Sequence, residues 1–311
     1  ENEEMLETSL LGKTISNPVG LAAGFDKSAE VYNSLFKFGF GFIEVGTVTP
    51  KQQLGNPKPR IFRLEKDEAL INRLGFNNHG SETVSRRISN NHPDGFLGIN
   101  IGPNKETKNK EEDYYICLSR LAMHAGYITI NISSPNTEGL RNFHDQEEMK
   151  KLLSGINKII KEKKIECPVA IKISPDINDN EISKIVDLVS SHKIQGIIVS
   201  NTTDSNRNNL SDIKKHETGG LSGQPLKDIS TSLIKKFYKE TKGKIKIIGV
   251  GGVDSGESAF EKITAGAEAV QLYTGMVYKG PGIVKEIKKD LISILKKENL
   301  KNVSEAVGIN A

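Results

Sequence analysis

The sequence predicts a (β/α)8 barrel that forms one domain over residues 1–311. Eight short apolar runs recur along the 311 residues, and each ends in glycine or polar residues. The runs are largely continuous rather than alternating, which is typical of parallel strands buried on both faces. Most of them are followed by a segment with helical periodicity, and a barrel of this type needs roughly 250 residues or more. A doubly wound open sheet is the alternative fold.

The eight apolar runs are the predicted barrel strands. In chain order they are Asn17–Gly24, Gly41–Thr47, Phe96–Gly102, Tyr127–Ser133, Pro168–Ser174, Gly196–Asn201, Lys244–Gly252 and Ala269–Gly275. Between strands, apolar side chains from Met149 to Ile160 and from Ile283 to Leu295 recur at three- and four-residue spacing, which predicts two amphipathic helices.

Two connections are too long to be simple helices. Pro50–Asn78, after the second strand, is predicted to be a hairpin excursion followed by a loop. Asn201–Lys227, after the sixth strand, is predicted to be a long loop. In a barrel both connections lie at the carboxyl ends of the strands, where functional residues are found.

The composition excludes several classes of protein. Hydrophobic residues make up 36% and charged residues 26%, as in a soluble globular protein. The formal net charge is +4, and the basic residues are interspersed with acidic ones, so no nucleic-acid-binding surface is predicted. No apolar run reaches about 18 residues and no signal peptide is present, so no membrane span is predicted.

The cysteines and histidines carry no predicted chemistry. Cys117 and Cys167 form no Cys-x-x-Cys motif, which favours reduced, structural thiols and suits the cytosol. The six histidines are scattered without metal-ligand spacing, so no metal site is predicted.

The exit of the fourth strand is the most polar of the strand ends. From Asn131 to Thr137 every residue except Ile132 is polar or turn-forming. One interpretation is a plain turn, since Ser, Pro and Asn are common in turns. The other is a wall of hydrogen-bonding groups that faces a polar ligand.

Further polar groups at other strand exits indicate a ligand. Lys27 and Lys172 follow the first and fifth strands within a ring of amide side chains, which suits an anionic, planar, amide-rich molecule. Gly251-Gly252 and Tyr273-Thr274-Gly275 follow the seventh and eighth strands, where barrels commonly bind phosphate through backbone N–H groups.

Nine ordered motifs between about Leu11 and Gly308 resemble those of a known family. They are AAGFDK (22–27), EVGTVTP (44–50), GNPKPRIFR (55–63), INRLGFNN (71–78), NISSPNTEGLR (131–141), SNTT (200–203), GGLSG (219–223), GVGGV (249–253) and QLYTG (271–275). The chain resembles the dihydroorotate dehydrogenases, specifically the quinone-linked class 2 enzymes. Class 1 members are similar but use Cys as the catalytic base, whereas the matching position here is Ser134.

The resemblance implies an FMN-dependent barrel that oxidises (S)-dihydroorotate to orotate in de novo pyrimidine biosynthesis, the activity EC 1.3.5.2. It implies that Ser134 removes a proton from C5 while hydride passes from C6 to flavin N5. The substrate-binding residues that it implies are Lys27, Asn72, Arg73, Leu74, Gly75, Phe76, Asn131, Asn136, Asn201 and Thr202. The implied FMN-binding residues are Ala23, Gly24, Phe25, Asp26, Lys27, Thr47, Asn100, Asn131, Lys172, Ser200, Gly223, Gly252, Tyr273 and Thr274.

The resemblance also implies a quinone acceptor and a membrane-associated N-terminal helical extension. Only Glu1–Leu10 precedes the matching region and the first residue is not Met, so we expect that this extension is missing from the chain. We therefore expect a soluble chain that binds FMN and orotate but reduces membrane quinones poorly. The complete protein would lie peripherally on the cytoplasmic side of the inner membrane.

Two other functions stay open. One is an FMN barrel with a different acceptor, such as a fumarate- or NAD-linked dihydroorotate dehydrogenase. The other is a non-catalytic phosphate-binding barrel.

Overall fold

The computed structural model describes residues 3–205 and 207–311. Its strands are Thr8–Leu10 (β1), Lys13–Ile15 (β2), Val19–Leu21 (β3), Phe42–Val48 (β4), Ile61–Leu64 (β5), Ala69–Asn72 (β6), Phe96–Ile101 (β7), Tyr127–Asn131 (β8), Val169–Lys172 (β9), Gly196–Val199 (β10), Gly220–Gly223 (β11), Lys246–Val250 (β12) and Ala269–Leu272 (β13). Its α-helices are Tyr32–Phe36 (α1), Ser81–Asn90 (α2), Lys110–Leu121 (α3), Gln146–Lys163 (α4), Asp179–Ser191 (α5), Lys227–Thr241 (α6), Gly256–Thr264 (α7), Thr274–Lys279 (α8) and Ile283–Lys297 (α9). Within those residues no helix is both long and apolar enough to cross a bilayer.

Eight of the strands close into a cylinder. Around it the order is β3-β4-β7-β8-β9-β10-β12-β13, and β13 returns to β3. Every neighbouring pair is parallel, so the carboxyl ends of all eight strands meet at one mouth. Seven of the predicted runs contain one of these strands each, and the eighth, Gly41–Thr47, overlaps β4, which ends one residue later at Val48. The predicted (β/α)8 barrel is therefore confirmed, and the open sheet is excluded.

The helices around the barrel begin and pack as their sequences dictate. α4 starts where the Asp145 carboxylate accepts hydrogen bonds from two backbone N–H groups of the first turn, at 3.0 and 3.3 Å. Its predicted apolar stripe is buried from Met149 to Ile156, while Ile159 and Ile160 are only partly buried. In α9 the buried stripe runs from Ile283 to Leu295. These stripes pack on the outer face of the barrel. Both faces of a parallel strand must be shielded from water, and the helices shield the outer one.

A short hairpin closes the amino end of the barrel. β1 and β2 pair antiparallel before the first barrel strand, and the sequence analysis did not predict them. Leu10, Leu11 and Ile15 join one buried cluster with lumen residues that include Phe42 and Ile198. The amino end of the lumen is therefore plugged by apolar side chains.

The two long connections meet above the mouth. The first contains the antiparallel hairpin of β5 and β6. The second contributes β11, which pairs antiparallel with β6 and sets Gly220 opposite Asn72. A small cluster that includes Leu64, Ile71 and Leu221 gives this three-stranded sheet its own core. The sheet forms one wall of the space above the barrel.

Candidate active site

A cleft lies at the mouth where the barrel strands end. The space between its walls is about 1050 Å³, including the opening to solvent. All but four of the sequence-predicted site residues line it. The predicted residues in its walls are Ala23, Gly24, Lys27, Thr47, Asn72, Leu74, Gly75, Phe76, Asn131, Ser134, Asn136, Lys172, Ser200, Asn201, Thr202, Gly223, Gly252, Tyr273 and Thr274.

Four predicted residues lie outside the cleft walls. The Asp26 carboxylate accepts hydrogen bonds from two backbone N–H groups at the start of the next helical turn, so its side chain is held structurally. Arg73 forms an ion pair of 2.8 Å with Glu217 and stacks on an aromatic ring. Phe25 packs edge-on against Tyr273, with ring centroids 5.7 Å apart. Asn100 lies one layer below the cleft, fully buried. The predicted ligand contacts of these four stay predictions.

The cleft also contains residues that the sequence analysis missed. Gln271 lies in its floor, and Ile61, Leu70 and Ser222 lie in the wall built by the three-stranded sheet. Gln271 interrupts an otherwise apolar strand, and a polar residue inside a buried run is a signal for a lumen position. The Ser222 and Thr274 hydroxyls are 2.8 Å apart and join the sheet to the end of the barrel.

Two lysines supply the charge of the cleft. Among the described residues no oxygen accepts a hydrogen bond from the ammonium group of Lys27 or Lys172, and no carboxylate lines the walls. Burial, with Arg60 and Lys172 nearby, lowers the pKa of Lys27 to about 8. Burial also lowers the pKa of Lys172, and the Glu44 carboxylate below it acts in the opposite direction. Two cations in walls that carry no carboxylate among the described residues make the cleft a receptor for an anion.

The loop after β8 carries the predicted base. Ser134 is buried at the cleft wall, and its Oγ accepts a hydrogen bond of 3.2 Å from the Asn136 backbone N–H. Asn136 Nδ2 donates to the backbone carbonyl of Asn72 at 3.0 Å, which ties this loop to β6. Negative charge on the serine oxygen would be stabilised by the donated N–H.

Arg141 fastens the same loop to its neighbours. Its guanidinium forms ion pairs of 3.0 Å with both Asp176 and Asp204, which belong to the loops after β9 and β10. It also donates hydrogen bonds to the backbone carbonyls of Ser133 and Thr202, both at 3.3 Å. One side chain therefore joins three of the loops that surround the mouth.

Glycines shape the end of the cleft beside α6 and α8. Gly252 has φ +68°, and a Cβ there would lie 2.6 Å from Lys227 Cβ. Gly275 follows the first residue of α8, whose early backbone N–H groups have no acceptor inside the helix. Backbone amides that ligands can approach closely are the usual means of binding phosphate.

Comparisons with known proteins agree with the fold and with the family that the motifs indicate. The family model described as "Dihydroorotate dehydrogenase" matches residues 5–295. The chain is 45% identical to "Dihydroorotate dehydrogenase (quinone)" of Rhodopseudomonas palustris strain BisA53, over 98% of this chain and 85% of the relative. It is 44% identical to the protein of the same name from Bradyrhizobium sp. strain BTAi1, over 100% of this chain and 86% of the relative.

Solved structures give the same result. The crystal structure of DHODH from Eimeria tenella in complex with ferulenol superposes with a TM-score of 0.96 at 40% identity, and covers 100% of this chain and 89% of that one. A ligand-free crystal structure from the same organism gives 0.94 at 41% identity, with 98% and 92% coverage. The family predicted from the sequence motifs is thereby confirmed: the chain belongs to the dihydroorotate dehydrogenase family, in its quinone-linked class 2 branch.

Proposed function

We propose that the chain is an FMN-dependent dihydroorotate dehydrogenase, a single flavin-binding barrel domain that oxidises (S)-dihydroorotate to orotate and passes the electrons to a quinone. The observation that carries the proposal is the cleft with two cations and a ring of amides, in which none of the described wall residues is a carboxylate. Orotate is a carboxylate on an imide ring, so its charge matches the lysines and its ring matches the amides. The names of the relatives support the substrate and the acceptor.

The residues of the cleft fit a flavin mononucleotide. The glycine-shaped end at Gly252 and Gly275 suits a phosphate, because amide groups there are reachable by a ligand. In the floor, Gln271 Oε1 is buried without a hydrogen-bond partner among the described residues, so an N–H group of a bound ring would satisfy it. These residues would hold the flavin, and the bound flavin would supply the hydride acceptor of the reaction.

The amide side chains would hold the substrate ring. Asn136 Nδ2 donates to Asn72 Oδ1 at 3.2 Å, which leaves the Asn136 carbonyl and the Asn72 amino group to face a ligand. One acceptor and one donor side by side match the N–H and C=O edge of an imide. Lys27 would neutralise the carboxylate of the substrate, and the charge of Lys172 would stabilise the reduced flavin ring.

Ser134 would take the proton from C5. A serine hydroxyl is a weak base at neutral pH, and the N–H of Asn136 assists it by stabilising the charge that develops on Oγ. Thr137 is buried in the same loop and would pass the proton to water. The loop from Pro135 to Phe143 would shield the reacting atoms from solvent, and Arg141 holds that loop in place.

The decisive experiment is anaerobic reduction of the bound flavin by dihydroorotate in wild type and Ser134→Ala. We expect the yellow wild-type protein to bleach, and the variant to bleach at least ~100-fold more slowly, the scale for loss of a general base. FMN content and orotate affinity should be retained in the variant. A wild-type protein that does not bleach contradicts the proposed activity, and a variant that bleaches at the wild-type rate contradicts the role of Ser134.

The acceptor is tested with the same protein. Reoxidation of the reduced flavin should be fast with a short-tailed quinone and slow with fumarate or NAD⁺. A preference for fumarate or NAD⁺ would replace the quinone in the proposal and leave the substrate unchanged.

A further inference from the structure

A buried carboxylate lies at the centre of the barrel, below the cleft. Glu44 on β4 is fully buried and does not line the cleft. It accepts three hydrogen bonds: from Asn100 Nδ2 at 2.8 Å, from the Tyr127 hydroxyl at 2.7 Å and from Gln271 Nε2 at 2.9 Å. A carboxylate can only accept, so all three partners must turn a donor toward it.

The orientation that Glu44 imposes on Asn100 affects a series of hydrogen-bonded side chains that leads to the cleft. Because Asn100 turns its amino group to Glu44, its carbonyl faces Thr47 and accepts from the Thr47 hydroxyl at 2.7 Å. The hydroxyl oxygen in turn accepts from Asn131 Nδ2 at 3.0 Å. The Asn131 carbonyl accepts from the Ser133 backbone N–H at 3.2 Å and from Asn201 Nδ2 at 3.3 Å, so the backbone fixes the orientation of this amide. The hydrogen bonds of Asn100 and Thr47 take their direction from Glu44, and they meet an Asn131 amino group that points the matching way.

Gln271 is a second branch of the same network. Its amino group is taken up by Glu44 and also donates to the Tyr127 hydroxyl at 3.3 Å, so its carbonyl oxygen must point away from both. That oxygen is the buried atom without a partner in the floor of the cleft. An amide in place of Glu44 would let Gln271 rotate and offer a donor there instead.

We propose that Glu44 is a positioning residue, which fixes the Gln271 amide so that its carbonyl faces the cleft floor. Through Asn100 it also fixes the direction of the Thr47 hydroxyl that holds Asn131. This inference rests on the proposed function, because it assumes that these amides recognise the imide ring and the flavin. The specificity of the cleft would therefore be determined one layer below it.

Electrostatics give independent support. Glu44 is the acidic group that opposes the effect of burial on the pKa of Lys172, so its charge acts at the cleft floor. Burial raises the pKa of Tyr127 well above its usual value, which keeps that hydroxyl a donor to Glu44. A buried anion with three charge-assisted hydrogen bonds is rigid, and rigidity is what a recognition pattern needs.

The test compares Glu44→Gln with Tyr127→Phe in the FMN-loaded protein. Both remove a polar contact from the same buried network, but only Glu44→Gln permits the pattern to reverse. Orotate dissociation constants come from the absorbance change of the flavin, with FMN content and the thermal midpoint measured in parallel. We expect Glu44→Gln to weaken orotate binding about tenfold or more, the scale of an unpaired buried polar group, and Tyr127→Phe to stay within about threefold of wild type.

A second pair tests the chain away from the barrel centre and applies even if Glu44→Gln does not fold. Thr47→Val removes the hydroxyl link at nearly constant volume, and Thr47→Ser restores it. We expect about a tenfold loss of orotate affinity in the first and recovery in the second. Wild-type affinity in Glu44→Gln or Thr47→Val, or equal losses in Glu44→Gln and Tyr127→Phe, would overturn the inference. A wild-type protein that binds no orotate would instead refute the proposed function.

Discussion

Lys27 is a cation placed in a cleft without a counter-charge. Its folded-state pKa of about 8 lies below the usual 10.5 because charge is costly in that position. The unfolded chain therefore holds this proton more tightly than the folded protein does. Between pH 8 and 10.5 the contribution of Lys27 to the free energy of unfolding rises with pH. An anionic ligand, in contrast, binds better when Lys27 is protonated, so its affinity falls over the same range.

The affinity for orotate should follow the protonation of Lys27. Below pH 8 the lysine is charged and the dissociation constant should be flat; above pH 8 it should rise, by up to about tenfold per pH unit. Titrations of the flavin absorbance with orotate from pH 6.5 to 9.5 measure this.

The control for that titration is Lys27→Met. It should bind orotate weakly at every pH in the range and show no inflection near pH 8. An unchanged inflection in the variant would assign the titration to another group.

For single residues, the sequence predicted which residues lie at the cleft better than it predicted where their side chains point. Lys27, Asn131 and Lys172 could be assigned to one site because parallel strands bring their carboxyl ends together. The side chain of Asp26 turns to backbone N–H groups of the next turn, and such a choice depends on neighbours that a motif does not describe. Gln271 was missed because the apolar run around it was interpreted as packing alone.

The loop after β8 is an element whose position depends on one residue. Arg141 spans two carboxylates and two carbonyls, and only a forked guanidinium can make all four contacts. Lysine at this position keeps the charge but loses the fork. We expect Arg141→Lys to slow anaerobic flavin reduction by dihydroorotate about tenfold with FMN content unchanged, the scale of about 1.4 kcal/mol in the barrier.

Arg120→Lys on α3 is the matched substitution. Arg120 donates to Ser81 Oγ on α2, and its replacement should leave the rate of flavin reduction within about twofold. Equal rates in the two lysine variants would show that the loop does not need Arg141.

The turn after β12 is predicted to hold the phosphate. Alanine at Gly252 combines a left-handed φ of +68° with a clash against the backbone of Lys227, whose Cα lies 2.8 Å from the added Cβ. Gly252→Ala should lower FMN affinity about tenfold or more, measured as flavin released on dilution or gel filtration.

Gly282 supplies the comparison for that variant. A Cβ there meets nothing within 4 Å, and its φ of −61° suits any residue. Gly282→Ala should retain FMN as wild type does. Full flavin retention in Gly252→Ala would remove this turn from the proposed FMN site.

The barrel strands could be predicted as elements, whereas the short strands could not. A buried parallel strand leaves a continuous apolar run in the sequence. β1 and β2 have three residues each, too few for a period to appear. β11 pairs with a strand about 150 residues earlier, and its Gly-rich sequence has little intrinsic preference for a strand.

For the whole molecule, the hairpin that plugs the amino end of the barrel is expected to contribute to stability and not to ligand binding. Leu10 is fully buried against lumen side chains, so Leu10→Ala should lower the free energy of unfolding by about 2–5 kcal/mol. Urea unfolding at neutral pH measures the loss, and the cleft at the opposite end should keep its FMN.

Leu54→Ala makes the same truncation on the surface, where the side chain is 83% exposed. Its effect on the free energy of unfolding should stay within about 0.5 kcal/mol. A similar small effect for Leu10→Ala would mean that the hairpin does not support the barrel.

The sheet formed by β5, β6 and β11 determines how the two insertions could be exchanged between relatives, in evolution or by design. The two insertions lie far apart in the sequence, but backbone hydrogen bonds between β6 and β11 join them into one sheet. If one insertion were replaced by that of a relative, the other would have to pair with a strand of different sequence. Chimeric proteins should therefore fold when both insertions are taken from the same relative, and should misfold when only one insertion is exchanged.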